Sequence, residues 1–323
     1  MESQTKNKQP RATIDRMIAR ACPGVTATGV SELTEGFFNA AYSVGLSDGS
    51  AVVLKVGPAE GTPLMSHERN IMSSEVRSMR LVAERTDVPV ARILFYDDTR
   101  EICEADYFIM EKLPGRSYHS AMNELDDEAR ERIERQIGQY NSRMNGIVGE
   151  RFGYFGQPDK QGSDWFEVYR SILMDAVRDA EALKIDLRMD PLDMLELLRR
   201  DADAFREVAV PKLVHWDLWA GNVFIENGAV TGLIDFERCL WADPLLEVGF
   251  RSFASNPHFL EGYGLRELTA SQRIRIRWYD LYLYLISALE CDYRQYEDRG
   301  TYEWAIARIR EGMAALKEGG LEP

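Results

Sequence analysis

Four things are scarce or missing in this 323-residue sequence. No long apolar run occurs. The opening MESQTKNKQPRATIDRMIAR lacks the hydrophobic stretch of a secretory signal, and no later segment offers the roughly 18 uninterrupted apolar residues of a membrane span. A cytoplasmic location, away from any membrane, is the expectation. Cysteines are few and scattered: Cys22, Cys103, Cys239 and Cys291 show no C-x-x-C spacing, which suggests neither a zinc site nor a disulfide framework and leaves them small apolar fillers. Positive charge is short, with 39 basic against 53 acidic residues and a net charge of −14. That balance disfavours nucleic acid or an anionic membrane as a partner and mildly favours a cationic ligand, although acidity of this size also serves solubility alone. Internal repeats and low-complexity linkers are also missing.

The composition, 45% hydrophobic and 28% charged, is that of a folded chain long enough for one large or two smaller cores. From Thr28 to about Gly115 the pattern is strand-rich: VSELT, AYSVGL, an Asp48-Gly49 hairpin signal, SAVVLKV, then ARILFYD and DYFIMEKL. One helix interrupts it, with Met72, Val76, Met79 and Val82 at spacings of three and four. After Pro114-Gly115 the pattern turns helical. Apolar stripes run through Ile133, Ile137, Tyr140, Met144 and Ile147, through Trp165, Val168, Ile172, Ala176 and Val177 behind an N-cap at Asp164, and through Leu195, Leu198, Ala202 and Phe205. A capping box, Thr269 to Gln272, opens a long helix, and a last one runs from about Thr301 into Lys317. The fold class expected is α+β: a small lobe, residues 1–113, with a five-stranded antiparallel sheet and one helix, then a helical lobe, residues 114–323.

The stretch LVHWDLWAGNVFIENGAVTGLIDFE, residues 213–237, sets polar groups among core-forming ones. Short buried strands flank an Asn227-Gly228 hairpin turn, which returns the chain so that Asp235 approaches Asn222. An amide and a carboxylate beside a second carboxylate, Asp217, suit Mg²⁺ held jointly with substrate phosphates, because this ion seldom sits in an all-protein cage. The spacing H-x-D-L-x-x-x-N followed by D-F is that of a kinase catalytic loop and metal-binding segment.

This block resembles that of the aminoglycoside phosphotransferase superfamily, small-molecule kinases that include choline, fructosamine, methylthioribose and macrolide kinases. The similarity extends from about Ser31 to the final helix and implies a bilobal protein-kinase-like fold. By this resemblance Asp217 accepts or orients the proton of the substrate hydroxyl, His215 supports the loop, and Asn222 and Asp235 bind Mg²⁺. Lys55, in a run too apolar for an unpaired ammonium, meets an anion; the resemblance makes it the lysine on the α- and β-phosphates of ATP or GTP. Glu75 is its expected partner, with Glu68 the alternative. Gly36 and Asn39 preserve a G-x-x-N phosphate loop, and Tyr107 to Gly115 matches the hinge, with Met110 behind the base and the backbone of Glu111 and Leu113 pairing with it.

Several positions depart from the pattern. Trp216 replaces a common glycine, Trp219 stands at the catalytic lysine of protein kinases and is similar to the HGDLWSGN block of fructosamine kinases, and Glu237 replaces the DFG glycine. Glu247, after Asp243-Pro244, is expected to anchor the loop. For the acceptor, Glu290, Asp292, Glu297 and Asp298 with Tyr293 and Tyr296 offer charge and rings to a cationic sugar or else form a solvated face, and Trp241 is a platform or core. The expected activity is transfer of a γ-phosphate to the hydroxyl of an antibiotic, amino sugar or metabolite. A kinase-like binding module without turnover and a protein-directed kinase are the alternatives.

Overall fold

The computed structural model describes residues 3–34, 36, 38–253 and 255–319. Residues 3–10 lead through a turn at 4–5 into α1 (Arg11–Ala21), a helix absent from the pattern reading above. A five-stranded sheet follows, built from β1 (Ala27–Leu33), β2 (Ala40–Leu46), β3 (Ala51–Val56), β4 (Ile93–Asp97) and β5 (Tyr107–Glu111). Its order is β1-β2-β3-β5-β4 and every pairing is antiparallel. The β2–β3 turn uses Gly49 at φ +87°, and the Asp48 carboxylate accepts from the Ser50 amide (2.9 Å).

Side chains alternate across a strand, so β3 serves two layers. Val52, Leu54 and Val56 join Ile14, Met17 and Ile18 of α1 in one core. Val53 faces the other way, toward Met72, Val76, Met79 and Val82 of α2 (Ile71–Arg85). Lys55 shares that parity and therefore points at α2.

The helical part begins with β6 (Arg116–Ser117) and α3 (Tyr118–Ala121), followed by α4 (Asp127–Met144), whose N-cap Asp126 accepts from the Ala129 amide. Next come β7 (Gly153–Tyr154), α5 (Trp165–Leu183), capped by Asp164 as expected, and α6 (Pro191–Arg200) and α7 (Ala202–Arg206). The expected single helix through Leu195 and Phe205 is thus two. The chain breaks at Asp201, whose carboxylate takes Trp278 Nε1 (2.9 Å), and Met194 rather than Leu195 reaches the core alongside Leu198. β8 (Lys212–Val214), β9 (Val223–Glu226), β10 (Ala229–Leu233) and β11 (Leu240–Ala242) carry the central motif, and α8 (Pro257–Tyr263), α9 (Ala270–Tyr293) and α10 (Gly300–Lys317) complete the chain. Two three-stranded sheets, β10-β9-β6 and β7-β11-β8, hold the motif between helices. Asn227 and Gly228 both have positive φ, as the tight β9–β10 hairpin requires, and Ile234 N–H donates to the Asn222 carbonyl (3.1 Å). Among the described residues no helix is long and apolar enough to cross a membrane.

The chain just past the motif is pinned by a buried ion pair. Asp243 Oδ2 accepts from Arg275 Nε (2.7 Å) and from the Tyr279 hydroxyl (2.8 Å), which in turn accepts from Trp165 Nε1 (2.8 Å). Removing one partner leaves a buried guanidinium short of its counter-charge, so Asp243→Ala is expected to cost about 3–5 kcal/mol of stability. Urea denaturation measures it, and an unchanged midpoint would remove the pair from the account of the fold.

Candidate active site

β3, α2 and the segment after β10 converge on one ammonium. Lys55 Nζ donates to Glu75 Oε2 (2.7 Å), Asp235 Oδ1 (2.6 Å) and Glu237 Oε2 (3.1 Å). Glu75 is fully buried on the apolar face of α2. Asp235 sits in the left-handed region (φ +68°), so the chain turns sharply into the 236–238 turn. Phe236 is locked beneath, its ring 4.4 Å from that of His215 and its carbonyl bonded to the Ser78 hydroxyl. Burial opposes the charge on Lys55, yet Asp235, Glu237 and Glu75 together hold its pKa well above the ordinary value. Burial also raises Glu75 and Glu237, with the neighbouring carboxylates adding to the shift, whereas Lys55 outweighs burial at Asp235 and lowers it. Three carboxylates with oxygens within 4.8 Å of one another face a single lysine. This excess of negative, oxygen-only donors fits a hard divalent cation.

The loop carrying Asp217 hangs from a different carboxylate. Glu247 Oε1 accepts from the His215 amide (2.9 Å), Asn141 Nδ2 (2.8 Å) and Asn145 Nδ2 (3.0 Å), and Oε2 accepts from the Trp216 amide (3.1 Å). Held at both amides, Trp216 takes a φ of +69°. His215 Nδ1 accepts from the Asp217 amide (3.3 Å), so its other nitrogen carries the proton and donates to the Ile234 carbonyl (3.0 Å). Burial lowers its pKa and keeps it neutral. Asn222 Nδ2 donates to the Asp217 carbonyl (2.8 Å), leaving the amide oxygen for a cation. Asp217 is half-buried, and its pKa is pushed up to about 7 by burial and by Asp235, Glu290 and Glu237, against the opposing pull of Arg238.

Other sequence-derived residues fall into place unevenly. Glu68 does not reach Lys55; it pairs with the buried Arg294, whose guanidinium lies 3.8 Å over the Phe38 ring. Asn39 Nδ2 donates to Glu237 Oε2 (2.5 Å), which brings the first loop to the cluster, while Gly36 stands exposed at its tip. Met110 is buried on β5; the Glu111 amide is already bonded to the Arg92 carbonyl (3.0 Å), and the Leu113 side chain lies against Gly232. Glu290 comes to the site through Arg238 Nη2 (2.7 Å). Asp292 pairs with Arg299 (2.9 Å), and Tyr293 is buried with its hydroxyl on the Asp179 carbonyl (3.1 Å). Trp241 is elsewhere, its ring tilted against that of Phe155 (centroids 5.5 Å apart) at a 340 Å³ pocket with Leu81, Arg85 and Arg151. A larger cavity of about 1150 Å³ lies between residues 3–8, Ala59 to Pro63 and Gln295 to Asp298, and none of the clustered carboxylates lines it. Glu237 and Arg238 are the contributors that pattern reading missed. Together with Asp235 they interrupt the otherwise apolar run LIDFERCLW, and Glu237 also departs from the D-F-G pattern.

A strand lysine paired with a helix glutamate, an Asp and an Asn five residues apart on one loop, and a second Asp behind a hairpin define a kinase-type phosphotransferase. The model of the phosphotransferase enzyme family, APH, matches residues 29–276, and the chain belongs to that family. Its fold is shared with a thermostable mutant of aminoglycoside phosphotransferase APH(4)-Ia, solved with ADP and hygromycin B, at 18% identity and a TM-score of 0.65 over 96% of this chain and 100% of that one. A candidate fructosamine-3-kinase from Thermobifida fusca YX-ER1 is similar at 19% identity and 0.65, over 94% and 99% of the two chains. The streptomycin–ATP complex of APH(2″)-IIa is similar at 14% and 0.60, over 96% and 99%. No curated protein matches by sequence.

Glu247→Gln keeps the shape of the anchor but turns one acceptor into a donor facing the Trp216 amide. The expected cost is roughly 1–3 kcal/mol for the donor left unpaired. Turnover should fall further than triphosphate affinity, because the loop bearing Asp217 is displaced while Lys55 is not. Urea midpoints and steady-state kinetics check this, and equal losses in both constants would deny the loop its anchor.

Proposed function

We propose that the protein transfers the γ-phosphoryl group of ATP or GTP to a hydroxyl of a small molecule. Residues 1–113 would bind the nucleotide, and residues 114–323 the acceptor. The observation that carries the reading is the Lys55 ammonium held between Glu75 and Asp235 at 2.7 and 2.6 Å, with the Asp217 carboxylate on the adjacent loop.

In this reading Lys55 gives up part of its carboxylate pairing to meet the α- and β-phosphates, and Glu75 keeps it extended. Asn222, Asp235 and Glu237 are the oxygen donors for Mg²⁺, which supplies neutralisation of phosphate charge when bound. Asp217 orients the acceptor hydroxyl and takes its proton as the oxygen attacks. Phosphoryl transfer asks mainly for in-line placement and charge stabilisation, so one carboxylate at the nucleophile suffices. A half-buried carboxylate titrating near 7 is a stronger base than an ordinary aspartate and remains ionised above neutrality.

A silent binding module is disfavoured because Lys55, Asp217, Asn222 and Asp235 are all present and brought together. A protein-directed kinase is disfavoured because the chain runs from Asp235 through β11 straight to Asp243, held by Arg275, with no long activation segment between them. The base is inactive while protonated, so kcat/KM should fall about tenfold per pH unit below about 7 and level off above it. Asp217→Asn should lower kcat by about 10²–10⁴-fold and flatten this acid limb, with triphosphate binding retained. An Asn variant that keeps the wild-type pH profile would take the proton-acceptor role from Asp217.

Lys55→Ala tests the nucleotide lobe separately. It should raise KM for the triphosphate, lower kcat, or both, without changing acceptor affinity. An effect confined to acceptor binding would reverse the assignment of the two lobes.

A further inference from the structure

Arg294, immediately after α9, ties the helical part to the sheet by both its side chain and its main chain. The guanidinium is buried and has two partners: it pairs with the Glu68 carboxylate, and it lies over the Phe38 ring, 3.8 Å from the centroid. Glu68 is itself fixed, its Oε2 accepting from the Met65 amide (2.8 Å). The Arg294 carbonyl accepts from the Ser3 hydroxyl and from the Gln4 amide, both at 3.3 Å. From there residues 3–9 reach the sheet, where Asn7 Nδ2 donates to the Gly57 carbonyl (3.1 Å) and the Gln9 amide donates to the Tyr42 hydroxyl (2.7 Å). Gly57 follows Lys55 closely in the chain, and Tyr42 follows Asn39. The two strands that bring residues to the carboxylate cluster are thus both tied to Arg294.

We propose that Arg294 is a positioning residue for the triphosphate: by holding Phe38 it fixes Asn39 against Glu237, and so sets where the first loop stands relative to Lys55 and Asp235. The inference rests on the phosphotransfer reading above and adds to it a residue outside the catalytic block. Two observations carry it. First, the Asn39 side chain is anchored on one side only. Its Nδ2 reaches Glu237 (2.5 Å), while its Oδ1 is buried with no hydrogen-bond partner among the described residues. A single bond lets the amide turn about it, so the place of Asn39 depends on its neighbour, Phe38. Second, the arrangement at Arg294 exceeds what an ion pair requires. Glu68 supplies the counter-charge, and any cation would serve it; a planar guanidinium also offers a face to a ring, an attraction that strengthens when both groups leave water. Phe38 is buried while Gly36, two residues before it, is exposed, so the ring is where the loop enters the protein. Placement of the phosphates governs the reaction, and a residue that places the loop acts on it from a distance.

Fluorescence titration of the full chain with mant-ATP and mant-GTP, each with Mg²⁺, tests this. Phe38→Leu keeps an apolar side chain and removes the ring; it should weaken binding by about tenfold or more at an unchanged melting temperature. Glu68→Met combined with Arg294→Met replaces the buried pair by apolar chains, an exchange that folds tolerate better than the loss of one partner, and should weaken binding to the same extent. All three substitutions together should cost no more than about twofold beyond either, because the second change finds no contact left to remove. Losses that multiply, or wild-type affinity in Phe38→Leu, overturn the assignment. A second measurement needs no nucleotide. With asparagine selectively labelled with nitrogen-15, the Asn39 Nδ2 protons should exchange with water about tenfold faster in Phe38→Leu than in the wild type, and equal rates overturn the hold on Asn39. If the paired methionine variant fails to fold, Phe38→Leu decides by affinity and exchange together. A wild-type chain that binds neither nucleotide overturns the phosphotransfer reading instead, and the exchange rates still decide whether Phe38, seated on Arg294, holds Asn39.

Discussion

One buried carboxylate, Glu247, organises the loop that carries Asp217. It collects two backbone amides from the loop and two side-chain amides, from Asn141 of α4 and from Asn145 at its C-terminal cap, whose Nδ2 also donates to the Leu213 carbonyl (2.7 Å). The geometry that follows is strict. With the His215 and Trp216 amides fixed on one carboxylate, the backbone takes positive φ at Trp216, and Asp217 emerges beside the cluster at Lys55. Asn145 extends the network through the Tyr263 hydroxyl (2.9 Å), so α8 also bears on the loop. A buried polar network in which one carboxylate takes four donors rigidifies its members.

The cluster that Glu247 supports is the opposite kind of arrangement, one that is electrostatically incomplete. Glu75, Asp235 and Glu237 share one ammonium, and two of the three are pushed toward protonation. Such a concentration of like charge opposes folding and is characteristic of sites tuned for binding or chemistry. The surrounding packing offsets it: α2 is held to the sheet by Val76, Met79 and Val82, and Phe236 is locked between Ser78 and His215. The first loop joins the cluster through Asn39, and the neighbouring Phe38 rests on Arg294, which itself pairs with Glu68 of the segment before α2. Loop, sheet and helical part therefore meet around the same charges.

Much of this was legible in the sequence because it is local. The hairpin at Asn227-Gly228, the caps at Asp164 and Thr269 and the period-two pattern of β3 follow from chain geometry over a few residues. The spacing of Asp217, Asn222 and Asp235 specified a kinase-type loop, and the parity of Lys55 against Val53 places it on the side of α2. Reading failed where the deciding partner was remote. The break at Asp201 depends on Trp278, 77 residues away, whereas the expected pairing of Lys55 with Glu75 holds while Glu68 goes to Arg294, 226 residues away.

The sequence by itself therefore determined the layers, the motif and the class of chemistry, since periodicity and spacing act through backbone geometry that the chain carries with it. Only the tertiary structure decided which charges meet. Glu237, a departure from pattern in one dimension, is a partner of Lys55 and Asn39 in three; Glu290 faces Arg238 while Tyr293, three residues on, is core; and Trp241 packs against Phe155 beside Leu81 and Arg85 of α2. The physical reason is that Coulomb and ring contacts depend on distance in space, and spatial distance among distant residues is set only when the helices and sheets have packed.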